Sequence, residues 1–241
     1  MHIATFDVEK QYQEKGCQYV IGIDEAGRGP LAGPVVAVAA LLKARSMALR
    51  NANGKEWDLV RDSKTLSEKQ REGIYGFIFE HFYIGIGICT HQTVDRMNIL
   101  QASFLAMKRA LTYLTDDLSV HMRKKNLTWT MFEQQAIVLV DGNQMIPQYS
   151  LPQHAIVQGD RIVKSIAAAS VIAKVTRDRM MYDAHIQYPH YGFDRHKGYG
   201  TTAHMDALRI YGPCPIHRSS FAPVKQCLLD FAKIPQPQKM K

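Results

Sequence analysis

The sequence contains few cysteines and no paired cysteine motif. Its four cysteines lie far apart along the 241 residues, at Cys17, Cys89, Cys214 and Cys227. Such scattered thiols argue against a zinc site or a disulfide framework and are typical of a reducing compartment. The sequence also lacks an apolar signal segment and a run of about 20 apolar residues that would span a membrane. We therefore expect a cytoplasmic protein without a membrane partner.

Acidic residues are outnumbered by basic ones. The chain carries 30 lysines and arginines against 22 aspartates and glutamates, which gives a net charge of +8 and a pI near 9.3. This surplus predicts a polyanionic partner, most often a nucleic acid. With 46% hydrophobic residues and no internal repeat, we expect one domain with a sizeable core, acting as a monomer.

Two apolar segments lead directly into carboxylates. Residues 20–23 precede Asp24 and Glu25. Residues 136–140 precede Asp141 in the same way. Continuous apolar runs rich in β-branched residues predict buried strands, and their alternation with helical patterns predicts a sheet covered by helices. Carboxylates at strand ends are often only solvated charges, but several together can hold a hard divalent cation.

A glycine turn, Gly27-Arg28-Gly29, follows the first two carboxylates. Glycine lets a ligand approach the backbone closely, so that N–H groups become available donors, and Arg28 can bind an anion or a hydroxyl. The turn does not match a phosphate-binding P-loop, because no Gly-Lys-Ser/Thr follows it and Pro30 lacks an N–H. A nucleotide-dependent phosphotransferase is therefore disfavoured.

A long helix is predicted over residues 166–188, opened by Ser165. Within it Ser170, Lys174 and Asp178 recur every four residues and therefore share one face. Two interpretations are open. Either Lys174 and Asp178 form an ion pair within the helix, or this face contributes Asp178 to a functional site.

Capping and periodicity signals predict elements between these segments. The predicted elements are a helix capped by Ser67 and Gln70 that runs through Phe82, a strand over 83–90, a helix capped by Thr93 that runs through Leu114, and a short strand over 155–157.

Polar segments divide the rest of the chain. Residues 17–225 are expected to form one catalytic domain. The other predicted segments are a loose lead-in over 1–16, a loop over 44–58, a connector over 116–135 with a solvated basic stretch at 121–125, and a helix end with a basic tail over 226–241 that is disordered from Pro235.

These motifs together resemble the ribonuclease HII family, the type 2 RNases H. The resemblance covers nearly the whole chain and implies an α/β fold: an RNase H-like mixed five-stranded sheet flanked by helices, with a C-terminal helical extension. The matching segments are IGIDEAGRGPLAGPVV, DSKTLSEKQRE, NILQASFLAM, VDGN, VQGD, SIAAASVIAKVTRD, YGFDRHKGYGTTAH and HRSSFAPV.

Four acids in these motifs look like the catalytic residues and the metal ligands of the family. They are Asp24, Glu25, Asp141 of VDGN, and Asp178 of the TRD segment. The resemblance implies that they hold two Mg²⁺ or Mn²⁺ ions, which clamp the attacking and leaving oxygens of a phosphodiester. Carboxylate ligands suit either metal.

Six further residues are implied to bind the substrate. Gly27-Arg28-Gly29 resembles the turn that senses the ribose 2′-hydroxyl, partly through its backbone. Tyr199 of HKGYGT resembles the tyrosine that checks the sugar at the junction, the alternative being an ordinary surface aromatic. Lys64 and Lys174 lie in matching segments and are expected near phosphates.

The implied function is an endoribonuclease that hydrolyses the RNA strand of RNA–DNA hybrids. It would also cut 5′ of single ribonucleotides in duplex DNA, leaving 3′-hydroxyl and 5′-phosphate ends. The alternative is a catalytically silent hybrid-binding protein on the same fold, which the presence of all four acids disfavours. A sliding clamp is a further candidate partner, because Gln226 to Phe231 loosely resembles clamp-docking peptides. The alternative for that segment is a terminal helix that packs Leu228 and Phe231.

Overall fold

A mixed five-stranded sheet forms the centre of the protein. The computed structural model describes residues 3–43, 54–124 and 128–232. Its strands are β1 (Tyr19–Ala26), β2 (Val35–Leu42), β3 (Phe82–Cys89), β4 (Ala136–Asp141) and β5 (Gln153–Ile156). Their order is β3-β2-β1-β4-β5, with β1–β2 and β2–β3 antiparallel and β1–β4 and β4–β5 parallel. The predicted mixed sheet is confirmed.

Helices flank this sheet and continue beyond it towards the C-terminus. Short 3₁₀ turns at Ser63–Thr65, Gly159–Arg161 and Pro189–Tyr191 join some of them. The α-helices of the described residues are α1 (Asp7–Glu14), α2 (Lys55–Leu59), α3 (Glu68–His81), α4 (His91–Met97), α5 (Ile99–Lys124), α6 (Trp129–Gln135), α7 (Lys164–Gln187), α8 (Phe193–His196), α9 (Thr202–Tyr211) and α10 (Ala222–Ala232).

Both faces of the sheet are covered, which explains why the central strands are almost wholly apolar. Successive side chains of β2 point to opposite faces. Val35 and Ala37 lie in the apolar cluster formed with α5, whereas Val36 and Val38 lie in the cluster formed with α3 and α7. Each face therefore needs apolar residues, and the alternation of polar and apolar residues disappears.

Glycines let the two long helices approach the sheet closely. A Cβ on Gly85 or Gly87 of β3 would overlap the backbone of α5 at Ala110 or Ala106. Gly22 of β1 makes the same room for the first turn of α7. The helix backbones therefore lie directly against the strands at these points.

The N-terminal segment contains a helix, so the expectation of a loose lead-in is wrong. Helix α1 buries Glu9, whose carboxylate accepts hydrogen bonds from the N–H (2.8 Å) and the hydroxyl (2.9 Å) of Ser165. Val163, the residue before α7, provides no side-chain cap for that helix. Glu9, from a distant part of the chain, therefore accepts a hydrogen bond from an N–H group in the first turn of α7 that has no acceptor within the helix. This tertiary contact, rather than local propensity, decides the structure of the segment.

Several predicted boundaries also differ from the structure. Helix α4 is capped by Thr90 instead of Thr93, and the chain turns at Asn98 with φ of 69°. With ψ of 165° this backbone is not helical, so one apolar pattern is divided between two helices. Helix α5 then continues past Leu114 to Lys124, and most of the predicted connector is therefore helical.

Other predictions are confirmed or lie outside the described residues. Ser67 and Gln70 form the predicted capping box of α3. In the predicted loop over 44–58, residues 44–53 lie outside the description and the last residues belong to α2. The predicted disordered tail from Pro235 also lies outside it.

The predicted C-terminal helical extension is confirmed and has its own small core. This core contains Leu31, Tyr191, Phe193, Leu208 and Val224. Helix α10 begins before residue 225, so the expected end of the domain falls inside a helix. Among the described helices none has both the length and the apolar character needed to cross a bilayer.

The close approach of α5 to β3 predicts opposite effects for two glycine substitutions. Gly85→Ala should destabilise the protein by about 2 kcal/mol or more, because the new methyl overlaps helix backbone that cannot move locally. Gly73→Ala is the matched control. Gly73 is exposed in α3 and an added methyl there meets open space, so alanine should stabilise by about 0.5–1 kcal/mol. Urea unfolding measures both, and equal effects would contradict the tight packing.

Candidate active site

The parallel pairing of β1 and β4 places carboxylates at one edge of the sheet. Ile23 lies opposite Val140 in this register, so Asp24 and Asp141 follow at the same end of the two strands. Glu25 is the next residue of β1. Asp24 is buried, and the other two acids are half-buried. The structure thus brings together three of the four predicted acids.

Burial and mutual repulsion perturb these acids. Burial is the largest reason that the pKa of Asp24 lies well above its ordinary value, and Glu25 and Asp141 raise it further. Hydrogen bonds from the Ser170 hydroxyl and from the Glu25 N–H (2.7 Å) oppose this shift. Burial also raises the pKa of Glu25, although Arg28 at 3.1 Å acts to lower it. Such a cluster needs nearby positive charge to stay ionised.

Asp160 joins this cluster from the 3₁₀ turn that follows β5. The N–H of Gly159 donates to Asp141 Oδ1 at 2.7 Å and holds the turn against the end of β4. Asp160 is buried, and its pKa is raised to about 6, first by burial and then by Asp141 and Asp62. The sequence motifs alone predict no role for Asp160. The available signal was VQGD, a third strand end followed by a carboxylate, after a strand that lies parallel to β4.

Asp178 lies apart from these acids. It forms an ion pair with Lys174 at 2.7 Å and lies 3.8 Å from Arg71. Ser170 of α7 hydrogen-bonds to Asp24 of the cluster. Asp178 lies eight positions further along the same helix, which corresponds to about 12 Å along the helix axis. The ion-pair interpretation is therefore confirmed. The expectation that Asp178 completes the acid cluster is corrected, because a shared helix face does not determine the distance to the strand ends.

Lys64, which the sequence predicts near phosphates, faces the acid cluster. Its 3₁₀ turn is capped by Asp62, which accepts the Lys64 N–H at 2.9 Å. Burial acts to lower the pKa of Lys64, but the surrounding carboxylates raise it above its ordinary value. These carboxylates are Asp24, Asp160, Asp62 and Asp141.

The acid cluster offers the oxygen donors that a hard divalent cation prefers. Within the described ranges no three His, Cys, Asp or Glu side chains are close enough to hold one ion jointly. Mg²⁺ is usually held by one or two carboxylates and completes its shell with water and substrate phosphate oxygens. The repulsion that raises the pKa of Asp24 would be relieved by such an ion. The donor set therefore fits Mg²⁺ or Mn²⁺.

The glycine turn and Tyr199 lie side by side next to these acids. Gly27 is buried and has φ of 101°, a conformation that favours glycine, whereas Arg28 and Gly29 are exposed. A Cβ on Gly29 would lie 3.6 Å from the Tyr199 ring, which is 44% exposed. The structure thus brings together the two elements that are expected to read the sugar.

The comparison with protein families agrees with this arrangement. Residues 21–224 match the family described as Ribonuclease HII. The chain belongs to the ribonuclease HII family. It is accordingly a nuclease of the type 2 RNase H group, and the resemblance seen in the sequence is confirmed.

Ribonucleases HII from bacteria are similar over most of their length. The chain is 47% identical over 203 residues to the ribonuclease HII of Fusobacterium nucleatum subsp. nucleatum, which spans 84% of this chain and 85% of that relative. It is 40% identical over 238 residues to the enzyme of Acholeplasma laidlawii, spanning 95% and 99%.

Solved structures share the fold at lower identity. The ribonuclease H2 of Pyrococcus horikoshii OT3 has a TM-score of 0.64 and 24% identity, covering 90% of this chain and 100% of that one. Bst-RNase HIII in complex with Mn²⁺ has a TM-score of 0.64 and 20% identity, covering 92% and 72%. The PCNA:RNase HII complex from Archaeoglobus fulgidus has a TM-score of 0.58 and 22% identity, covering 86% and 96%.

Two buried histidines, His204 and His217, and the half-buried His196 pack together beside Tyr199. The Nδ1 of His204 lies 2.9 Å from the Tyr199 carbonyl, its Nε2 lies 3.0 Å from His217 Nε2, and His196 stacks on its ring. The neutral His204 ring therefore donates to Tyr199 and accepts from His217. Burial lowers the pKa of both His204 and His217 to about 4.

His204 and His217 should consequently contribute a loss of stability in acid, opposite in sign to the contribution of Asp24, Glu25 and Asp160, whose pKa values are raised. Above pH 6.5 both histidines are neutral in the folded and unfolded states. Between pH 6.5 and 4 the unfolded chain binds protons that the folded protein refuses, which costs up to about 1.4 kcal/mol per pH unit for each histidine. Urea unfolding from pH 7.5 to 5 measures the slope. His204→Gln should reduce the contribution of the histidines to this slope, whereas substitution of the exposed His190 by glutamine should leave the slope unchanged. An unchanged slope in both variants would refute the assignment of acid sensitivity to His204.

Proposed function

We propose that this protein hydrolyses the RNA strand of RNA–DNA hybrids and cuts 5′ of single ribonucleotides in duplex DNA, leaving 3′-hydroxyl and 5′-phosphate ends. The observation that carries this proposal is the position of the acid cluster directly beside the exposed glycine turn and the Tyr199 ring. A phosphodiester at the acids would place its neighbouring sugar at the turn. The net charge of +8 supports a nucleic-acid substrate.

Asp24, Glu25, Asp141 and Asp160 are the residues that would hold two Mg²⁺ or Mn²⁺ ions. When bound, such a pair supplies Lewis acidity to the attacking and leaving oxygens of the phosphodiester. The Mn²⁺ complex of the structurally similar Bst-RNase HIII supports a metal requirement.

The surrounding protein groups keep these acids oriented and ionised. The Ser170 hydroxyl and the Glu25 N–H hold Asp24, and the Gly159 N–H holds one oxygen of Asp141. Lys64 is exposed beside the cluster and would attract the substrate phosphate. We assign no phosphate contact to Lys174, because its ammonium is engaged by a carboxylate on the same helix.

The backbone of Gly27-Arg28-Gly29 and the Tyr199 side chain would distinguish ribose from deoxyribose. The 2′-hydroxyl is the group that separates the two sugars at a given site. One hydrogen bond contributes only about 0.5–1.5 kcal/mol, which is too little for strict discrimination. The turn and the tyrosine would therefore act together, the ring packing on the sugar and the turn bonding its hydroxyl.

The alternative considered from the sequence, a catalytically silent hybrid-binding protein, is disfavoured by the same acids. It would have no use for four carboxylates whose mutual repulsion opposes folding, and positive charge there would bind a nucleic acid better.

The four free thiols support a reducing, cytoplasmic location. We also propose that the protein acts as a monomer.

A sliding clamp is a second proposed partner, which two exposed leucines on α10 favour. Leu228 and Leu229 are 42% and 52% exposed, while Val224 is buried and Phe231 packs near Gly212. Part of the helix thus packs on the protein and part is free for docking. The Archaeoglobus fulgidus complex of RNase HII with PCNA supports this proposal.

Substitution of single acids tests the metal site. Asp141→Asn and Asp160→Asn should each lower the turnover of an RNA–DNA hybrid in Mg²⁺ by about 100-fold or more, a barrier change of about 2.7 kcal/mol. Asp178→Asn should retain more than about a tenth of the activity, a barrier change below about 1.4 kcal/mol. Hybrid binding should survive in all three. Loss of activity in the Asp178 variant, with Asp160→Asn active, would restore the assignment made from the sequence.

Substitution of Tyr199 tests sugar recognition. Tyr199→Ala should lower cleavage at a lone ribonucleotide more than cleavage of a long hybrid, because only the former presents a single sugar to read. Tyr199→Phe should be intermediate, since it keeps the packing and loses the hydroxyl. Tyr113→Ala, at an exposed tyrosine of α5, is the control. Equal losses on both substrates would assign Tyr199 to general positioning.

Clamp docking is tested by Leu228→Ser combined with Leu229→Ser. Both side chains are exposed, so the melting temperature should stay constant while binding to an immobilised bacterial sliding clamp is lost. Truncation after Val224 is the comparison, because it also removes the packing of Phe231 and should lower the melting temperature. Unchanged clamp binding by the double variant, or no binding by the unaltered protein, would refute docking.

A further inference from the structure

Two buried arginines hold the segment that contains the glycine turn. Arg177 and Arg218 are 1% and 0% exposed. Each hydrogen bond that their guanidinium groups make within the described residues goes to a backbone carbonyl. Burying a cation costs several kcal/mol unless its donors are satisfied. The carbonyl groups that accept from Arg177 and Arg218 therefore offset the cost of burying the two cations, and the arginines in turn fix the positions of these carbonyls.

Arg218 gathers the carbonyls of the segment that contains the turn. Its five acceptors are the carbonyl oxygens of Gly27 (2.6 Å), Pro30 (2.8 Å), Arg28 (3.0 Å), Gly33 (3.0 Å) and Pro34 (3.1 Å). Lysine has no planar fork of donors and does not satisfy acceptors spread in this way.

The direction of these carbonyls determines the direction of the amides. In a trans peptide unit the C=O of one residue and the N–H of the next point in opposite directions. The Gly27 and Arg28 carbonyls point inward to Arg218, so the N–H groups of Arg28 and Gly29 point away from it, towards the exposed side. Arg28 and Gly29 lie outside the helices and strands, and within the described residues neither N–H donates a hydrogen bond to a backbone carbonyl.

Arg177 connects the same segment to the loop of Tyr199. It donates to the carbonyls of Ala32 (3.2 Å) and Pro34 (3.0 Å) on one side and of Lys197 (3.0 Å) on the other. The centre of its guanidinium lies 5.9 Å from the centroid of the Tyr199 ring. The same side chain packs against Gly27, where an added Cβ would overlap it, so it lies between the glycine turn and the loop of Tyr199.

We propose that Arg218 is a positioning residue for ribose recognition, which aims the Arg28 and Gly29 amides at the 2′-hydroxyl while Arg177 sets the distance from these amides to Tyr199. This proposal rests on the proposed function, since it explains how the turn of that site reads the sugar. Neither arginine touches the substrate.

Binding in an inactive background tests the proposal. In Asp141→Asn protein, we compare the Kd for an all-DNA duplex with the Kd for the same duplex carrying one ribonucleotide. Two amide hydrogen bonds should make this ratio on the order of tenfold. Arg218→Lys in the same background should bring it close to one, with the Kd for all-DNA duplex changed less than about twofold because the surface charge is kept.

A control separates positioning from loss of stability. Leu118→Ala removes a fully buried side chain of α5 and should lower the melting temperature without altering the ratio. An Arg218→Lys variant that keeps the tenfold ratio would overturn the positioning role. A Kd ratio of one in Asp141→Asn protein that retains Arg218 would instead overturn the proposed function. The two failures are therefore distinguishable.

Amide exchange decides the matter if Arg218→Lys does not fold. With ¹⁵N-labelled arginine and glycine in Asp141→Asn protein, the N–H groups of Arg28 and Gly29 should exchange quickly in the free protein. The ribonucleotide-containing duplex should protect them more strongly than the all-DNA duplex. Equal protection by the two duplexes, or slow exchange in the free protein, would show that these amides do not point at the sugar and would overturn the proposal.

Discussion

Four carboxylates meet at one edge of the sheet, and the repulsion among them is the constraint on which the rest of the structure depends. Asp24 and Asp141 come from paired parallel strands, so their separation follows from the register and does not adjust. Asp160 is fixed through the hydrogen bond from its neighbour Gly159 to Asp141. Charges held so rigidly in a partly buried place destabilise the fold unless it is strong elsewhere.

The architecture supplies that strength through the sheet. Both faces of the central strands are covered, and glycines bring α5 and α7 into contact with the strand backbone. Such strands tolerate polar groups only at their ends. The strands therefore position the acids, while α7 contributes the Ser170 hydroxyl to Asp24 and the Arg177 guanidinium to the carbonyls that follow the glycine turn.

Much of this arrangement was predictable because its signals are local. The apolar runs before Asp24 and Asp141 identify the strands and their acidic ends, and the Ser67–Gln70 capping box identifies the start of α3. The site residues that depend on tertiary contacts were not predictable in this way.

Asp160 follows a short strand of mixed polarity that gives little periodic signal, and Asp178 has a regular spacing that turned out to serve an ion pair. Helix α1 depends on a partner far along the chain. The burial of Arg177 and Arg218 is equally invisible in the sequence, since arginine is ordinarily a surface residue.

The contact between Glu9 and Ser165 also bears on the order in which the chain folds. It joins residues 156 positions apart, and contacts of such long range form late because the entropy of closing the loop opposes them. During synthesis Glu9 emerges early and can dock only after Ser165 and the first turn of α7 have emerged. Docking of the N-terminal helix is thus delayed until the chain from residue 165 is available, and a fluorescent probe placed on α1 would report that step of refolding.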